Sequence, residues 1–359
     1  MFLLASVLVI LSGCGNGESK TADSGKKKEK ADIAMITDKG DINDKSFNQG
    51  TWTGIKNYAE KHNKSYQYYR PIAVTNDDYI AMIEQAIQNG SKIVVTPGFL
   101  FSTPVFTLQE KYPDVKFVLV DGWPNDGDEE KPEYKTTDNT TGILFAEEQA
   151  GFLAGYAAVK EGYEKLGFMG GMAVPAVVKY GYGYIEGANV AAKEMNKKVE
   201  VSYYYTGAFE ATPEAQAFAS GWYNEGTEVI FSCGGPLGNS VMAAAEASNK
   251  KVIGVDVDQS GESDTVITSA AKDLNTVMAD VLDQFYNDKF PGGKNQTLGA
   301  EQNAVFLPME NSKFEKFTEE DYEAIYKKLA DGDIKVSTDE SVKSPEELKV
   351  DNVKVKLVK

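Results

Sequence analysis

The chain has 359 residues and carries 37 Lys and Arg against 54 Asp and Glu, a formal net charge of −17. This charge argues against DNA or RNA as a partner, because affinity for a phosphate backbone comes from Lys and Arg. The single histidine, His62, and the two cysteines exclude a Cys/His zinc cluster and chemistry that needs a pair of histidines. The length predicts two or three domains of about 100 to 200 residues each.

The N-terminal segment indicates export. Residues 1–11 (MFLLASVLVIL) form an apolar run shorter than the roughly 20 residues of a spanning helix, and small residues follow it. We therefore predict a signal peptide over 1–13. The motif Leu-Ser-Gly-Cys resembles the bacterial lipobox, so we expect Cys14 to be lipidated and to anchor an extracytoplasmic protein to the cell membrane. Residues 14–30 are rich in Gly, Ser and charge, which predicts a flexible tether.

From Ala31 onward, short apolar strands alternate with amphipathic helices, which predicts parallel βαβ units. In the first series the predicted strands are 32–37, 66–74, 92–97, 116–122 and 139–145, and the predicted helices are 46–62, 76–89, 102–111 and 146–160. In the second series the predicted strands are 165–171, 199–207, 228–235 and 251–258, and the predicted helices are 176–196, 213–225 and 238–249. A strand at TVITSAAKD, a helix over 273–289, the segment AVFLPME and a polar tail from 311 complete the chain.

These two series predict an α/β protein with two doubly wound, parallel-sheet lobes joined by a hinge of several crossings. We expect the chain to pass between the lobes near residues 160, 262 and 300. The N-terminal lobe is then predicted from 31–160 plus 264–300, and the C-terminal lobe from 161–263 plus 301–359. Cys233 lies in an apolar strand, so we expect a buried core thiol with no disulfide partner.

The ends of the predicted strands supply the candidate binding residues, because ligands of such sheets bind outside the carboxyl ends of the strands. A carboxylate accepts two hydrogen bonds at once and suits a vicinal diol, and a nearby lysine donates to the same hydroxyls. Glycines without a Cβ allow a ligand to approach the backbone. The strand-end candidates are Asp38, Asp121, Phe209, Gly234, Gly235, Asp256 and Lys272, with Phe47 and Asn48 in the first turn of the helix that follows the first strand.

Two segments of the sequence contain residue types found in metal or cofactor sites, but neither has the required spacing. The acids from Asp38 onward do not form a calcium loop, because the twelfth position is Gln49 rather than a bidentate Glu. For Asp41 and Asp44, a functional role and a structural role in the turn and the helix cap are equally consistent with the sequence. The Gly-rich turn in FSCGGPLGNS (231–240) is neither G-x-G-x-x-G nor a Walker loop. The sequence therefore predicts no metal site and no cofactor.

Several segments resemble the Bmp/PnrA-like family of basic membrane lipoproteins over nearly all of the mature chain. They are TDKGDINDKSFNQ, VDG, EEQAGFLAGYAA, LGFMGGMAVPAVVKYGYGYIEGA, YYTGAFE, CGGPLG, GVDVDQ and SAAKD. The resemblance implies a type I periplasmic-binding-protein fold and a lipid-anchored substrate-binding protein of an ABC importer. It also implies a purine nucleoside ligand, partnership with ABC permease and ATPase subunits, and no nucleic-acid partner; we expect a monomer.

The resemblance also implies a role for each candidate residue. The base would stack between Phe47 and Phe209. Its polar edges would meet Asp38, Asn48 and Asp121, and the ribose would be held by Gly234 or Gly235, Asp256 and Lys272.

Three alternatives remain open at this point. A receptor of the same fold could bind a free sugar or a flavin, and a free sugar would not need two parallel phenylalanine rings around a planar base. A nucleoside hydrolase or dehydrogenase would find carboxylates in the cleft, but a cleft histidine is missing and the lipid anchor does not favour an enzyme. A transcriptional regulator would need a DNA-binding domain or a basic patch before Ala31. Binding without turnover is the function that we predict.

Overall fold

The computed structural model describes residues 30–128 and 130–358. The predicted signal peptide, Cys14 and all of the predicted tether except Lys30 lie outside these residues. The strands are β1 Ile33–Ile36, β2 Tyr66–Tyr69, β3 Ile93–Pro97, β4 Lys116–Val120, β5 Thr140–Phe145, β6 Lys165–Gly170, β7 Val199–Tyr205, β8 Val229–Cys233, β9 Lys251–Asp256, β10 Val266–Lys272, β11 Lys294–Leu298, β12 Val305–Phe306 and β13 Val353–Leu357. The helices are α1 Phe47–Lys61, α2 Asn76–Gln88, α3 Ser102–Lys111, α4 Glu147–Glu161, α5 Pro175–Glu194, α6 Pro213–Asn224, α7 Leu237–Ser248, α8 Leu274–Tyr286 and α9 Glu319–Ala330.

The first lobe is built on a parallel sheet with the strand order β11-β5-β4-β3-β1-β2. Its central strands are continuous apolar runs buried on both faces, as is typical of parallel sheets covered by helices on each side. Alternate residues of these strands enter two different cores. Ile33 and Met35 pack with α1 and α8, whereas Ala34 and Ile36 pack with α2 and α3.

The second lobe is built on a seven-stranded sheet with the order β12-β10-β9-β8-β6-β7-β13. Its pairs are parallel except for β10 with β12, which is antiparallel. Helices α4 and α5 cover one face, and α6 and α7 cover the other. The predicted α/β fold with two doubly wound sheets is confirmed.

Glycines allow the backbones of α4 and α5 to touch. A Cβ on Gly151 or Gly155 would lie 2.1 or 2.0 Å from the carbonyl oxygen of Tyr180 or Tyr184. Conversely, a Cβ on Gly183 would lie 1.9 Å from a carbonyl oxygen of α4. Because real Cβ atoms do not approach backbone oxygens so closely, the two helices form one tightly packed unit of the second lobe.

The predicted lobe boundaries need two corrections. Residues 146–160 were expected in the first lobe, but α4 packs along α5 in the second. Residues 264–300 were also expected in the first lobe; α8 and β11 lie in that lobe, but β10 pairs with β9 in the second sheet. The sequence pattern of a strand followed by a helix does not reveal which sheet the strand joins. The chain passes between the lobes at three places, between β5 and α4, between β10 and α8, and between β11 and β12.

The tail from residue 311 is more structured than its polar composition predicts. It contains α9, which begins with a capping box in which Thr318 and Asp321 satisfy each other's backbone N–H groups, and the edge strand β13. Strand β11 was also not predicted, because KNQTL is an exposed edge strand without apolar alternation. Strand β2 ends at Tyr69, earlier than the predicted residue 74, and Pro71 follows.

Candidate functional site

A cavity of about 490 Å³ lies between the two lobes, at the carboxyl ends of the strands. Its size is within the range of about 300 to 1,000 Å³ that is usual for small-molecule sites. The structure brings all nine predicted ligand residues together in its wall. They are Asp38, Phe47, Asn48, Asp121, Phe209, Gly234, Gly235, Asp256 and Lys272.

Lys272, the last residue of β10, forms the charged centre of the site. Its side chain is 1% exposed, and its Nζ lies 2.5 Å from Asp121 Oδ2, 3.0 Å from Glu147 Oε1 and 3.8 Å from Asp256 Oδ1. The same nitrogen lies 4.9 Å from the centroid of the Phe47 ring. Glu147 is held from its other side by Lys179, at 3.5 Å. A buried cation is thus surrounded by carboxylates from both lobes.

Burial and the neighbouring charges set the protonation of this network. Burial raises the pKa of Asp121 to about 7 even though Lys272 opposes the shift, and Glu147 raises it further. Burial also acts against the charge on Lys272, but the three carboxylates around it raise its pKa well above the usual value. Burial acts in the same way against Glu147, yet Lys272 and Lys179 hold its pKa below the usual range. The surrounding charges therefore keep Lys272 and Glu147 charged, whereas burial favours the protonated form of Asp121.

The backbone turns sharply at two strand ends in the cavity wall. Asp121 and Asp256 have φ angles of +56° and +65°, in the left-handed region that non-glycine residues rarely adopt. Such strain concentrates at functional sites, where the surrounding structure holds it in place. Asp256 also accepts hydrogen bonds from the hydroxyls of Ser46 and Tyr180.

A second polar group lies at the start of α1. Asn48 Nδ2 donates to Asp38 Oδ1 at 2.8 Å and to Asp44 Oδ2 at 2.9 Å. Asp44 accepts in addition from the backbone N–H groups of Ser46, Asn48 and Gln49, so it caps the helix. Burial raises the pKa of Asp38 to about 6, partly offset by hydrogen bonds from Gly40 and Asn48.

Aromatic side chains from both lobes complete the wall. Phe47 belongs to the first turn of α1, and Phe209 follows β7. Phe209 packs against Gly171, where a Cβ would lie 2.3 Å from its ring. The larger side chain of any other residue at position 171 would displace this ring from its place in the wall.

Direct contacts join the lobes across the cavity. Ser46 of the first lobe bonds to Asp256 of the second, and Gln259 Nε2 donates to the carbonyl oxygen of Lys45 at 2.8 Å. At the rim, Lys39 Nζ lies 3.0 Å from Glu210 Oε1. Together with the Lys272–Asp121 ion pair, these contacts connect the two lobes across the cavity.

Several residues of the site could not be recognised from the sequence. Glu147 and Tyr180 belong to helices that were predicted correctly, but nothing in an amphipathic pattern shows that a helix begins at the cavity. One signal was available, because Glu147 opens α4 immediately after β5 and thus lies at a strand end. Cys233 is buried as predicted and also lines the cavity. In the described ranges 30–128 and 130–358, no group of three or more His, Cys, Asp or Glu is arranged to hold a metal ion.

Two doubly wound lobes that enclose a charged and aromatic cavity define the type I periplasmic-binding-protein fold. A solved ABC transporter solute-binding protein from Aeropyrum pernix has this fold, with a TM-score of 0.74 and 20% identity over 88% of this chain and 95% of that one. The model of the family described as Bmp, ABC transporter substrate-binding protein PnrA-like, matches residues 31–340. The chain belongs to this family, and the predicted family is confirmed.

Relatives of known sequence agree with this assignment. The ABC transporter nucleoside-binding protein BmpA of Lactococcus lactis is 30% identical, covering 87% of this chain and 90% of its own length. A lipoprotein of Pyrococcus abyssi is 27% identical, covering 82% of this chain and 72% of its own length. The protein is thus a substrate-binding protein of the ABC transporter class. Among its described residues, none of the helices combines the length and apolar character needed to cross a membrane.

Proposed function

We propose that the protein captures purine nucleosides, such as inosine, guanosine and adenosine, in the cavity between its lobes and presents them to an ABC permease. The observation that carries this proposal is the Lys272 network beside the Phe47 ring. The Lys272 network supplies hydrogen-bonding groups for a sugar diol, and the Phe47 ring supplies a stacking surface for a planar base. The nucleoside-binding name of the Lactococcus relative supports the same ligand class.

The ribose is assigned to the Asp256 and Lys272 end of the cavity. Asp256 accepts hydrogen bonds from the sugar hydroxyls and Lys272 donates to them, with close backbone approach at Gly234 and Gly235. Asp256 belongs to the wall of the second lobe, whereas Asp121, which also pairs with Lys272, belongs to the first. Lys272 also belongs to the second lobe, whereas Asp38, Asn48 and Asp121, which are assigned to the base, belong to the first, so a bound nucleoside joins the two lobes and favours the closed form.

The base is assigned to the space between Phe47 and Phe209, with its polar edge toward Asp38, Asn48 and Asp121. Two rings on a planar base each add about 0.5 to 1.5 kcal/mol beyond the burial of apolar area. A free sugar would leave both rings without a partner. This argument favours a nucleoside over a free pentose.

Isothermal titration calorimetry with inosine, guanosine, adenosine and free ribose tests the proposal. We expect binding of the nucleosides, and at least tenfold weaker binding by Phe209→Ala and by Asp256→Asn. Asp258→Asn is the matched control, because Asp258 is an exposed residue just beyond the same strand and does not line the cavity. No heat with any nucleoside, or equal affinity for free ribose, would contradict the proposal.

The same proposal includes the membrane anchor. We infer that the chain is exported, cleaved before Cys14, lipidated at that residue and held at the outer face of the membrane as a monomer. The lipoprotein relative supports this location. Mass spectrometry of the mature N-terminus should find a diacylated Cys14, and Cys14→Ser should release the protein from the membrane; an unmodified Cys14 would contradict the inference.

A further inference from the structure

One turn of the second lobe, residues 257–262 after β9, contacts the first lobe beside the cavity. Gln259 is 2% exposed in this turn. The side chains of Val257, Gln259 and Glu262 do not line the cavity. The Nε2 group of Gln259 donates to the carbonyl oxygen of Lys45, in the loop before α1, at 2.8 Å. The turn therefore joins the lobes through side chains that lie outside the ligand site.

The second lobe itself fixes the orientation of the Gln259 amide. The Oε1 atom accepts from the backbone N–H of Val255 at 3.0 Å, and the backbone N–H of Gln259 donates to Ser269 Oγ at 3.0 Å. A Cβ on Gly254 would lie 2.4 Å from the same Oε1 atom, so glycine leaves the room that the amide needs. Because Oε1 is engaged by β9, the NH₂ group must face Lys45. The second lobe thus presents an oriented donor to the first.

Two further contacts of this turn reach the same part of the first lobe. Val257 lies against Gly50 of α1, where a Cβ would lie 2.7 Å from Val257 Cγ1. Glu262 forms an ion pair with Lys45 Nζ, and the two side chains are 28% and 46% exposed. An exposed ion pair contributes little, whereas a hydrogen bond from a buried amide contributes more. The amide of Gln259 is therefore the main polar contact of the turn.

We propose that Gln259 is a positioning residue that favours the closed form, in which this turn meets the first lobe, even without a bound ligand. Separation of the lobes replaces its hydrogen bond to Lys45 by hydrogen bonds to water. The net contribution of one such bond corresponds to about a two- to tenfold change in the ratio of closed to open molecules. This inference goes beyond the proposed function, because it concerns the lobes themselves rather than the ligand that they enclose.

The same bond has a consequence for release of the ligand. A ligand enclosed between two lobes leaves when the lobes separate. Loss of the bond should accelerate this separation by about two- to tenfold, and the affinity should fall by no more than the same factor. A residue that only touched the ligand would change release without changing the ligand-free lobes.

Pulsed electron paramagnetic resonance tests the inference without any ligand. Spin labels at Asp77→Cys and Glu214→Cys report the distance between the lobes, because both positions are exposed and lie at the starts of α2 and α6. Cys14→Ser and Cys233→Ala remove the native thiols from every protein compared. We expect a short and a long distance without ligand, and Gln259→Met should raise the ratio of long to short by about two- to tenfold.

Glu262→Gln is the matched control, because it removes the exposed ion pair from the same turn and leaves the buried amide. It should change the distance ratio less than about twofold. An unaltered protein without a short-distance population, or an unchanged ratio in Gln259→Met, would overturn the inference. An equal change in Glu262→Gln would also overturn it, because the rim charges would then account for the closure.

Stopped-flow release of inosine gives a second test, which uses the proposed ligand. Gln259→Glu keeps an acceptor for Val255 and has no proton to donate to Lys45 at pH 8, so release should be faster than in the unaltered protein. At pH 5 the introduced carboxyl group is protonated and donates again, so the ratio of the two release rates should return toward one. Lys45, Asp256 and Glu262 are present in both proteins, so their own titration cancels in this ratio.

A ratio that stays the same at both pH values would contradict the role of the donated hydrogen bond. If inosine does not bind at all, the proposed function fails, and the distance measurement still decides the present inference. If Gln259→Met does not fold, the distances in Gln259→Glu at pH 8 and pH 5 decide in its place.

Discussion

Glu147 gives the sharpest test of the buried network. Its carboxylate is 1% exposed and lies between Lys272 at 3.0 Å and Lys179 at 3.5 Å. Glu147→Gln keeps the size of the side chain and removes its charge. Lys272 retains Asp121, but Lys179, 13% exposed, loses the one carboxylate within 4 Å of it among the described residues.

The expected cost follows from these distances. Breaking a buried ion pair by neutralising one partner costs about 3 to 5 kcal/mol, because the other charge remains buried. Since Lys272 keeps a partner at 2.5 Å and only Lys179 is left alone, we expect the lower end, a loss of about 3 kcal/mol in the free energy of unfolding. Lys272 also becomes less firmly positioned, so nucleoside affinity should fall.

Urea unfolding at pH 8, followed by circular dichroism, measures this loss. Glu148→Gln is the matched control on the next residue of the same helix. Burial, reinforced by the charge of Glu147, raises the pKa of Glu148 to about 7, so its charge opposes folding at pH 8 and its removal should be neutral or stabilising. A loss below about 1 kcal/mol in Glu147→Gln, or equal losses in both variants, would refute the reasoning.

Three further predictions concern packing, pH and the rim. Gly155→Ala should destabilise the protein by about 1 to 3 kcal/mol in thermal unfolding, because the new Cβ would lie 2.0 Å from the carbonyl oxygen of Tyr184. The control Gly221→Ala should stabilise the protein, because a Cβ at that position meets no atom within 4 Å. The pKa of Asp38 is raised to about 6 in the folded protein, so the folded state keeps this proton to a higher pH than the unfolded chain does. The melting temperature should therefore fall as the pH rises from about 4 to about 6, and it should fall less for Asp38→Asn. An equal fall in both proteins would count against this account. Lys39→Ala removes the exposed ion pair with Glu210, and because such pairs contribute little, stopped-flow measurements should show nucleoside release accelerated less than about fivefold. High salt screens this pair, so under that condition the variant and the unaltered protein should release the nucleoside at the same rate.

The local patterns of the sequence predicted the strand ends, and with them the walls of the cavity. Asp38, Asp121 and Asp256 follow apolar runs long enough to be identified as buried strands, and parallel strands bring their carboxyl ends to one edge. The pattern could not predict that β10 belongs to the second lobe, because the choice of β9 as its neighbour depends on tertiary contacts and not on the local sequence. It also could not predict β11, whose polar residues carry no signal of the strand that they form.

The ion pairs of Lys272 also could not be predicted from the local sequence. Its position at the end of a strand predicted a place in the cavity, where the family resemblance assigns it to the ribose together with Asp256. The structure places Asp121 and Glu147 closer to it than Asp256. Asp121 follows β4 of the first lobe, so its approach to Lys272 depends on how the lobes close. Glu147 belongs to α4, which packs against β10 within the second lobe, and no local spacing in the sequence reveals that packing.

The interleaving of the two lobes along the chain has a consequence for the order of folding. The edge of the first sheet is completed only by β11, which pairs with β5 from about 150 residues later in the chain, and the edge of the second sheet is completed only by β13 at Val353–Leu357. Neither lobe is complete until the chain is nearly finished, and contacts of such high sequence separation form slowly. A chain that folds late in its synthesis stays extended for longer, which is the condition that threading through a protein-conducting channel requires.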